Sequence, residues 1–379
     1  MADGASRKIS PASARAHTRK RGQNSSSGFP PGIMTGILLV SLIGFLAYAY
    51  KAIQPPPAKI CDSVNGLPVT APRIKLRDGR HLAYKEHGVP REKAKYKIVY
   101  VHGVDSCRHD AVVATELSPE LFEELGLYIV SFDRPGYGES DPNPKITDKS
   151  TALDIEELAD QLELGSKFYV IGFSLGGEIV WTCLKYLPHR LAGATLIAPV
   201  VNYWWSGLPV NLTNEAYYHF QPPRDQWAVR VSHYAPWLMY WWNTQKWFPP
   251  HSVVTGNPSV MSRRDMELVP KLASRGKHAA QVRQQGLYVS VLRDTIFAFG
   301  NWNFSPLELQ NPFPDNSGAV HLWHSDDDLL VPSSLNRYIA QQLPWIHYHE
   351  LPGRGHMFPY EDGIADIIVK TLILGEKQA

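Results

Sequence analysis

The stretch FYVIGFSLGGEIVWTCLKYL, residues 168–187, decides the fold class of this 379-residue chain. Its first residues are aromatic or β-branched, as in a strand, and its later residues have the composition of a helix. Between these two parts, Gly172, Ser174 and Gly176 occupy alternate positions. A residue at the tip of a sharp turn has a strained backbone, so the positions two before and two after it must be small. The stretch therefore predicts a strand, a tight turn centred on Ser174, and a helix.

The alternation of strand and helix continues on both sides of this stretch. Two short alternating runs around Asp78 and Gly79 predict an opening β-hairpin, with its strands within 73–77 and 80–84. Further strands are predicted at 97–101, 128–132, 168–171, 194–198, 320–323 and 347–351, and helices at 116–125, 153–164, 176–187, 333–342 and 363–374. This order predicts an α/β fold with a mostly parallel central sheet and helices on both faces.

The segment 202–317 interrupts the alternation. It contains tryptophans at positions 204, 205, 227, 237, 241, 242, 247 and 302, together with many tyrosines and prolines. We predict a helical cap inserted at about 202–317 into a domain that spans 73–375.

The N-terminal part has a different composition. Residues 1–32 contain six basic residues and one acidic residue, and they lack the apolar surface that would offset the entropy of ordering, so we predict a disordered basic tail. Residues 33–50 are uncharged and long enough to cross a hydrocarbon core, which predicts a transmembrane signal anchor followed by a linker at 51–72. A buried core helix and a signal peptide cleaved after the A-x-A pattern at 47–49 are the alternatives.

Charge asymmetry around this span favours one orientation. Six basic residues precede the span and only Lys51 and Lys59 follow closely, which predicts a cytoplasmic N-terminus. The chain is then a single-pass type II membrane protein with its large C-terminal part on the lumenal side of the endomembrane system. Two sequons, at Asn211 and Asn303, are possible glycosylation sites there.

Composition restricts the classes of partner. Lysine and arginine number 38 against 36 acidic residues, so the net charge of +2 gives no sign of nucleic-acid binding. Cys61, Cys107 and Cys183 are odd in number, so at least one has no intrachain partner, and their pairing stays open. They show no metal-ligand spacing, and we expect neither a metal nor a cofactor.

Three residues carry the predicted chemistry. Ser174 needs a base and an orienting acid to become an effective nucleophile. His356 lies in a glycine-rich loop after the last predicted strand, where it is well placed to act as the base. For the acid, the residues alone leave three adjacent candidates, Asp326, Asp327 and Asp328, after the strand at 320–323.

Four segments, in this order, resemble the α/β-hydrolase family: 101–104 (VHGV), 133–140 (DRPGYGES), 172–176 (GFSLG) and 328–332 (DLLVP). The resemblance implies Asp328 as the acid, because family members commonly carry it four residues before the proline of a Val-Pro pair. It also implies an oxyanion hole formed by the backbone N–H groups of Val104 and Leu175. The residues implied to shape the elbow and the oxyanion loop are Gly172, Gly176, His102 and Gly103.

The resemblance implies a serine esterase that works through an acyl-enzyme without a cofactor or metal. Across its length the chain looks closest to plant α/β-hydrolase superfamily proteins with an N-terminal hydrophobic segment. The aromatic cap indicates an apolar or aromatic ester substrate, although the same tryptophans are also explained by packing of the cap. A small-molecule receptor with slow turnover, and an acyltransferase or peptidase with the same triad, are the alternative functions.

Overall fold

The protein is described by a computed structural model that covers residues 31–64, 66–273 and 276–375. The chain divides into two compact units, and the boundary in the sequence lies between Ala52 and Ile53. Most of the predicted basic tail, residues 1–30, lies outside the described residues.

The described part of the first unit is one long helix, α1 (Pro31–Ile53). It extends beyond the predicted span at both ends and includes the charged Lys51 in its last turn. By length and composition the helix can cross a membrane, and a signal sequence would pass the same test.

The second unit is built on one eight-stranded sheet. Its strands are β1 (Arg73–Lys75), β2 (His81–Gly88), β3 (Tyr96–Val101), β4 (Leu127–Phe132), β5 (Phe168–Phe173), β6 (Leu191–Ile197), β7 (Val320–Ser325) and β8 (Ile346–Leu351). The spatial order is β1-β2-β4-β3-β5-β6-β7-β8. Strand β2 pairs antiparallel with β1 and β4, and β3 to β8 run parallel, so the predicted mostly parallel sheet is confirmed.

Helices cover both faces of this sheet. Those outside the cap are α2 (Val112–Thr115), α3 (Pro119–Leu125), α4 (Asp148–Gln161), α5 (Leu175–Tyr186), α13 (Ser333–Gln342) and α14 (Ile364–Leu374). The helix predicted at 116–125 is wrong in its first turn: Ser118 is extended before Pro119, which begins α3. Helix α4 begins five residues before its predicted start, because Thr147 and Ser150 form a capping box.

The segment between β6 and β7, where the cap is predicted at about 202–317, is built of helices. Its helices are α6 (Val210–Asn214), α7 (Pro223–Tyr234), α8 (Met239–Thr244), α9 (Ser252–Thr255), α10 (Arg263–Ala273), α11 (Ala279–Val282) and α12 (Arg293–Phe299), with π-helical turns at Glu215–Phe220 and Tyr288–Leu292. The cap shares the main hydrophobic core: Trp205, Phe297 and Phe304 pack in the same cluster as the strand residues Val170 and Leu196.

Part of the predicted linker packs on the second unit. The Lys59 N–H donates to the carbonyl of Gln285 at 2.9 Å, and the Cys61 side chain is buried. Further along, the backbone N–H of Thr70 donates to Glu139 at 2.7 Å. The segments 59–64 and 66–70 therefore pack against the rest of the second unit. All three cysteines are free and buried, which answers the open question of their pairing.

Candidate active site

The turn between β5 and α5 has the strained geometry that its sequence predicts. Ser174 has φ 56° and ψ −119°, a conformation that residues with a side chain rarely adopt. A Cβ on Gly172 would lie 2.1 Å from the carbonyl oxygen of Gly176, and one on Gly176 would lie 2.0 Å from that of Val101. Both contacts are with backbone, so only glycine fits at these two positions.

Backbone hydrogen bonds hold Ser174 in this conformation. Its N–H donates to the Ile197 carbonyl at 2.8 Å, and its carbonyl accepts from the N–H groups of Glu178 and Val200 at 3.1 and 3.2 Å. Helix α5 begins at Leu175 and points its N-terminus at the serine. The partial positive charge of that N-terminus favours negative charge beside Ser174.

His356 and Asp328, the predicted base and acid, contact each other. The Nδ1 atom of His356 lies 2.7 Å from Oδ2 of Asp328, and both side chains are buried. The His356 ring lies beside Phe173, with ring centroids 5.0 Å apart, which brings it next to the elbow. Asp326 and Asp327 are exposed, so the structure distinguishes the three adjacent carboxylates by burial.

Several groups fix the Asp328 carboxylate. Its Oδ1 accepts from the backbone N–H groups of Leu330 and Val331 at 2.9 and 2.8 Å. His324 lies 3.1 Å from Oδ2, and its other ring nitrogen is 3.1 Å from the amide of Asn336. Sequence reasoning missed His324, because a histidine inside a buried strand has no local pattern that distinguishes it from a packed residue.

The pair shifts the pKa values of its two members in opposite directions. Burial alone would raise the pKa of Asp328, but His356 and His324 reverse this effect and hold it well below its usual value. Burial alone would lower the pKa of His356, but the Asp328 carboxylate outweighs burial and raises it. Asp328 is thus ionised, and it stabilises a proton on the imidazole.

The loop after β3 lies against the elbow. A Cβ on Gly103 would lie 3.1 Å from the Cβ of Ser174, which shows how closely the two segments approach. The Nε2 atom of His102 accepts from the Arg134 N–H at 3.0 Å, so Nδ1 carries the proton and donates to the Gly103 carbonyl at 2.7 Å. Burial, reinforced by Arg134, lowers the pKa of His102 well below its usual value. A neutral His102 therefore holds the backbone of this loop through its two ring nitrogens.

A buried arginine connects this loop to the cap. The Arg134 guanidinium donates to the carbonyls of His102 and Gly103, both at 2.9 Å, and to both carboxylate oxygens of Asp294 in α12, each at 2.6 Å. The Tyr137 hydroxyl donates to the same carboxylate at 2.6 Å. Sequence reasoning missed Asp294, which lies 160 residues from Arg134 in a segment without a recognisable pattern.

A second ion pair joins the same loop to the cap near the surface. Arg283 donates to both carboxylate oxygens of Asp105 at 2.6 and 2.8 Å. About a third of each side chain is exposed, at 32% and 36%, so solvent screens this pair more than the buried one.

One cavity of about 780 Å³ unites the candidate residues. Its lining includes Gly103, Val104, Ser174, Leu175 and His356, so the predicted nucleophile, base and oxyanion donors all face one space. Cap residues that line the same cavity include Tyr203, Asp225, Val229, Val260, Asp294, Thr295 and Phe299.

The cavity offers no metal-binding cluster. Within the described ranges, no three histidine, cysteine, aspartate or glutamate side chains are grouped so that they could hold an ion. Cys107 lines the cavity, but burial raises its pKa to about 12, so its thiol stays protonated. Ser174 is therefore the better candidate nucleophile in this space.

Known proteins share sequence with this chain. The sequence profile described as "Alpha/beta hydrolase family" matches residues 98–368. The mouse protein ABHD14A is 25% identical over 164 residues, which cover 43% of this chain and 63% of that protein's own length. That is less than two thirds of the relative.

Solved structures share the architecture. An esterase from Thermogutta terrifontis superposes with a TM-score of 0.53 at 19% identity, covering 80% of this chain and 98% of the esterase. An enol-lactonase from Burkholderia xenovorans gives 0.55 at 15% identity, covering 80% and 100%. At these identities the superpositions show the fold alone, and they confirm the fold class predicted from the sequence. The resemblance to plant proteins stays a prediction.

Proposed function

Because the chain belongs to the α/β-hydrolase family, we propose that it is a serine hydrolase that cleaves a carboxylic ester through an acyl-enzyme. One observation carries the proposal. The buried His356–Asp328 hydrogen bond of 2.7 Å stands beside an elbow that holds Ser174 at φ 56°, and Ser174 and His356 face the same cavity. This arrangement supplies a nucleophile, a base and an acid in the chain order that the family uses.

The mechanism assigns one role to each group. The Oγ atom of Ser174 attacks the acyl carbon while Nε2 of His356 takes its proton. Asp328 orients the ring and stabilises the imidazolium that forms. The N–H groups of Val104 and Leu175 donate to the developing oxyanion.

The tetrahedral intermediate then collapses. The bond to the leaving oxygen breaks, His356 returns its proton to the departing alcohol, and the acyl group stays on Ser174. Water attacks the acyl-enzyme with His356 again as base, which releases the acid and restores the serine. These residues need no cofactor or metal for the cycle.

The cavity favours an apolar or aromatic acyl group. A volume of about 780 Å³ is large enough for a substrate of drug-like size. Side chains such as Val229, Val260 and Phe299 make much of its cap wall apolar. Phe299 stacks on Tyr203, with planes 4° apart and centroids separated by 5.7 Å, which gives this wall a rigid aromatic surface.

Labelling with a fluorophosphonate probe tests the activated serine. We expect the full-length protein in detergent to label and Ser174→Ala to be silent. Ser106→Ala is the matched control, because Ser106 lines the same cavity but its hydroxyl contacts Asp110 at 3.2 Å and no histidine. A folded wild-type protein that does not label would contradict the mechanism and favour a ligand-binding role.

We further propose that α1 anchors the chain as a single-pass type II membrane protein with the catalytic unit in the lumen. The basic residues before the span support this orientation. Asn211 is exposed, whereas the Asn303 amide donates to Asp148 at 2.8 Å and Ser305 is buried. Asn211 is therefore the better glycan acceptor of the two.

Glycosylation and protease protection test this orientation. In cells with a secretory pathway, we expect an endoglycosidase-sensitive mobility shift that Asn211→Gln abolishes and Asn303→Gln leaves in place. Digestion of the catalytic unit by protease added to intact microsomes would contradict the lumenal placement.

A further inference from the structure

The outer surface of the cap exposes an unusual number of large aromatic side chains. Six of them are between 50% and 77% exposed, and we call them the aromatic face: Tyr218, Trp227, Tyr234, Trp237, Trp247 and Phe248. Soluble domains scatter such residues singly, whereas a contiguous set marks an interaction surface.

Ring contacts join most of the aromatic face into one surface. Trp227 lies 6.2 Å from Trp242, which stacks on Phe248 at 5.4 Å, and Trp241 lies 6.0 Å from Trp247 and 6.4 Å from Trp242. The Arg230 guanidinium lies over both Tyr218 and Trp227, at 5.4 and 5.2 Å from their centroids. Arg230 thus bridges the tyrosine end and the tryptophan end of this surface.

Packing of the cap does not explain this exposure. Helix α7 buries Asp225, Ala228 and Val229, of which Asp225 and Val229 line the cavity. Trp227 and Tyr234 of the same helix are exposed. The inner side of α7 therefore serves the cavity, and its outer side carries aromatic residues that no other part of the described chain covers.

The charge of this surface is positive. Between residues 215 and 250, which include the whole aromatic face, the basic residues are Arg224, Arg230 and Lys246, and the acidic residues are the exposed Glu215 and Asp225. Asp225 is buried and accepts the Ser252 N–H at 2.7 Å, so it adds no negative charge to the outer surface. Tryptophan and tyrosine favour the boundary between lipid headgroups and acyl chains, and basic residues favour anionic headgroups.

We propose that the aromatic face docks on the headgroup–acyl boundary of a lipid bilayer. The inference rests on the proposed membrane anchor, because α1 would keep the catalytic unit at a bilayer surface, and it does not depend on the triad. Docking would place the cap, and the cavity behind it, at the source of membrane-borne apolar esters.

A fluorescent label that reports polarity tests the docking. The native cysteines are all buried, so cysteine introduced at an exposed site is the one that reacts. The full-length variant Trp247→Cys is labelled with nitrobenzoxadiazole and placed, one copy per particle, in nanodiscs of phosphatidylcholine with a minor share of phosphatidylserine. Leu153→Cys in α4, exposed and distant in sequence from the cap, is the matched control, and Leu42→Cys reports insertion of α1.

We expect blue-shifted and several-fold brighter emission at positions 247 and 42, and water-like emission at 153. Water-like emission at 247 with apolar emission at 42 would overturn the docking and leave the anchor intact. Water-like emission at both would overturn the anchor together with the inference. If the emission at position 247 shifts only when a disc holds two copies, the aromatic face contacts a second copy of the chain. That result would overturn the proposal.

The same measurement on Ser174→Ala separates docking from catalysis. We expect an unchanged shift at position 247, because the serine lies inside the cavity and contacts no lipid. Failure of the hydrolase mechanism would thus leave this result unaffected, and failure of docking would leave fluorophosphonate labelling intact.

Discussion

The central sheet and the cap distribute their apolar residues in opposite ways. Every residue of β4 and β7 is buried, whereas the cap exposes six large aromatic side chains. Burial on both faces fixes the strands and therefore the turns at their carboxyl ends, where Ser174, Asp328 and His356 lie. Under the proposed mechanism, the sheet positions the reacting groups and the cap forms much of the wall of the cavity that a substrate would enter.

The first prediction separates chemistry from selectivity. Ser174→Ala should lower kcat by a factor on the order of 10⁴ or more for every ester in a panel of graded acyl length, because the nucleophile is lost. Phe299→Ala, in the cap wall, should instead change the ratio of kcat/KM between short and long acyl chains by roughly 10-fold. If both variants changed kcat/KM by the same factor for every ester in the panel, the proposed separation of roles between sheet and cap would be wrong.

The second prediction concerns the two ion pairs that join the cap to the oxyanion loop. Asp294→Asn should destabilise the fold by about 3–5 kcal/mol, because it leaves the buried Arg134 charge uncompensated. Arg283→Gln, in the partly exposed pair with Asp105, should cost about 1 kcal/mol or less. Thermal and denaturant unfolding check both values. Similar losses in the two variants would contradict the ranking by burial.

The third prediction is a pH profile. His356 must be neutral to accept the serine proton, and its pKa is raised above the usual 6.5, so activity should fall as the pH drops through a value above 6.5. Asp328→Asn removes the cause of the rise and should move the residual activity's acid limb to lower pH. Asp327→Asn is the control, because this carboxylate is exposed and should leave the limb in place.

The same two groups stabilise the fold with opposite dependences on pH. The raised pKa of His356 gives stability that is present below the usual pKa of 6.5 and is lost as pH rises through the folded value. The lowered pKa of Asp328 gives stability that is present above 3.8 and is lost as pH falls. Unfolding measured from pH 3 to pH 9 in the wild type and in Asp328→Asn resolves the two contributions.

The smallest effect is expected on the outer surface of the cap. Trp247→Ala should change the free energy of unfolding in detergent by about 0.5 kcal/mol or less, because an exposed side chain leaves no cavity. A loss of several kcal/mol would show that the aromatic face stabilises the cap itself. The fluorescence measured at position 247 would then need a different explanation.

Sequence alone predicted the parts of the molecule in which local pattern and tertiary structure agree. Ser174 and His356 were proposed because glycines lie close to each of them in sequence, and Asp328 because of the family resemblance; the structure places Ser174 and His356 at one cavity and joins His356 to Asp328. Asp294 and Arg283 were not proposed as site residues, because each contacts a partner more than 150 residues away and the neighbouring sequence shows no pattern for that contact. The first turn of α4 was missed because its residues Asp148 and Lys149 are polar and only the Thr147 cap marks it.

The double attachment of Arg134 has a consequence for engineering. One guanidinium donates to two carbonyls of the loop after β3 and to the carboxylate of Asp294, so the cap cannot be exchanged independently of this loop. A chimera that received a foreign cap without an acid at position 294 would leave the buried Arg134 without its carboxylate partner. Directed evolution of selectivity in this protein should therefore keep residues 134 and 294 fixed as a pair while the remaining cavity wall is randomised.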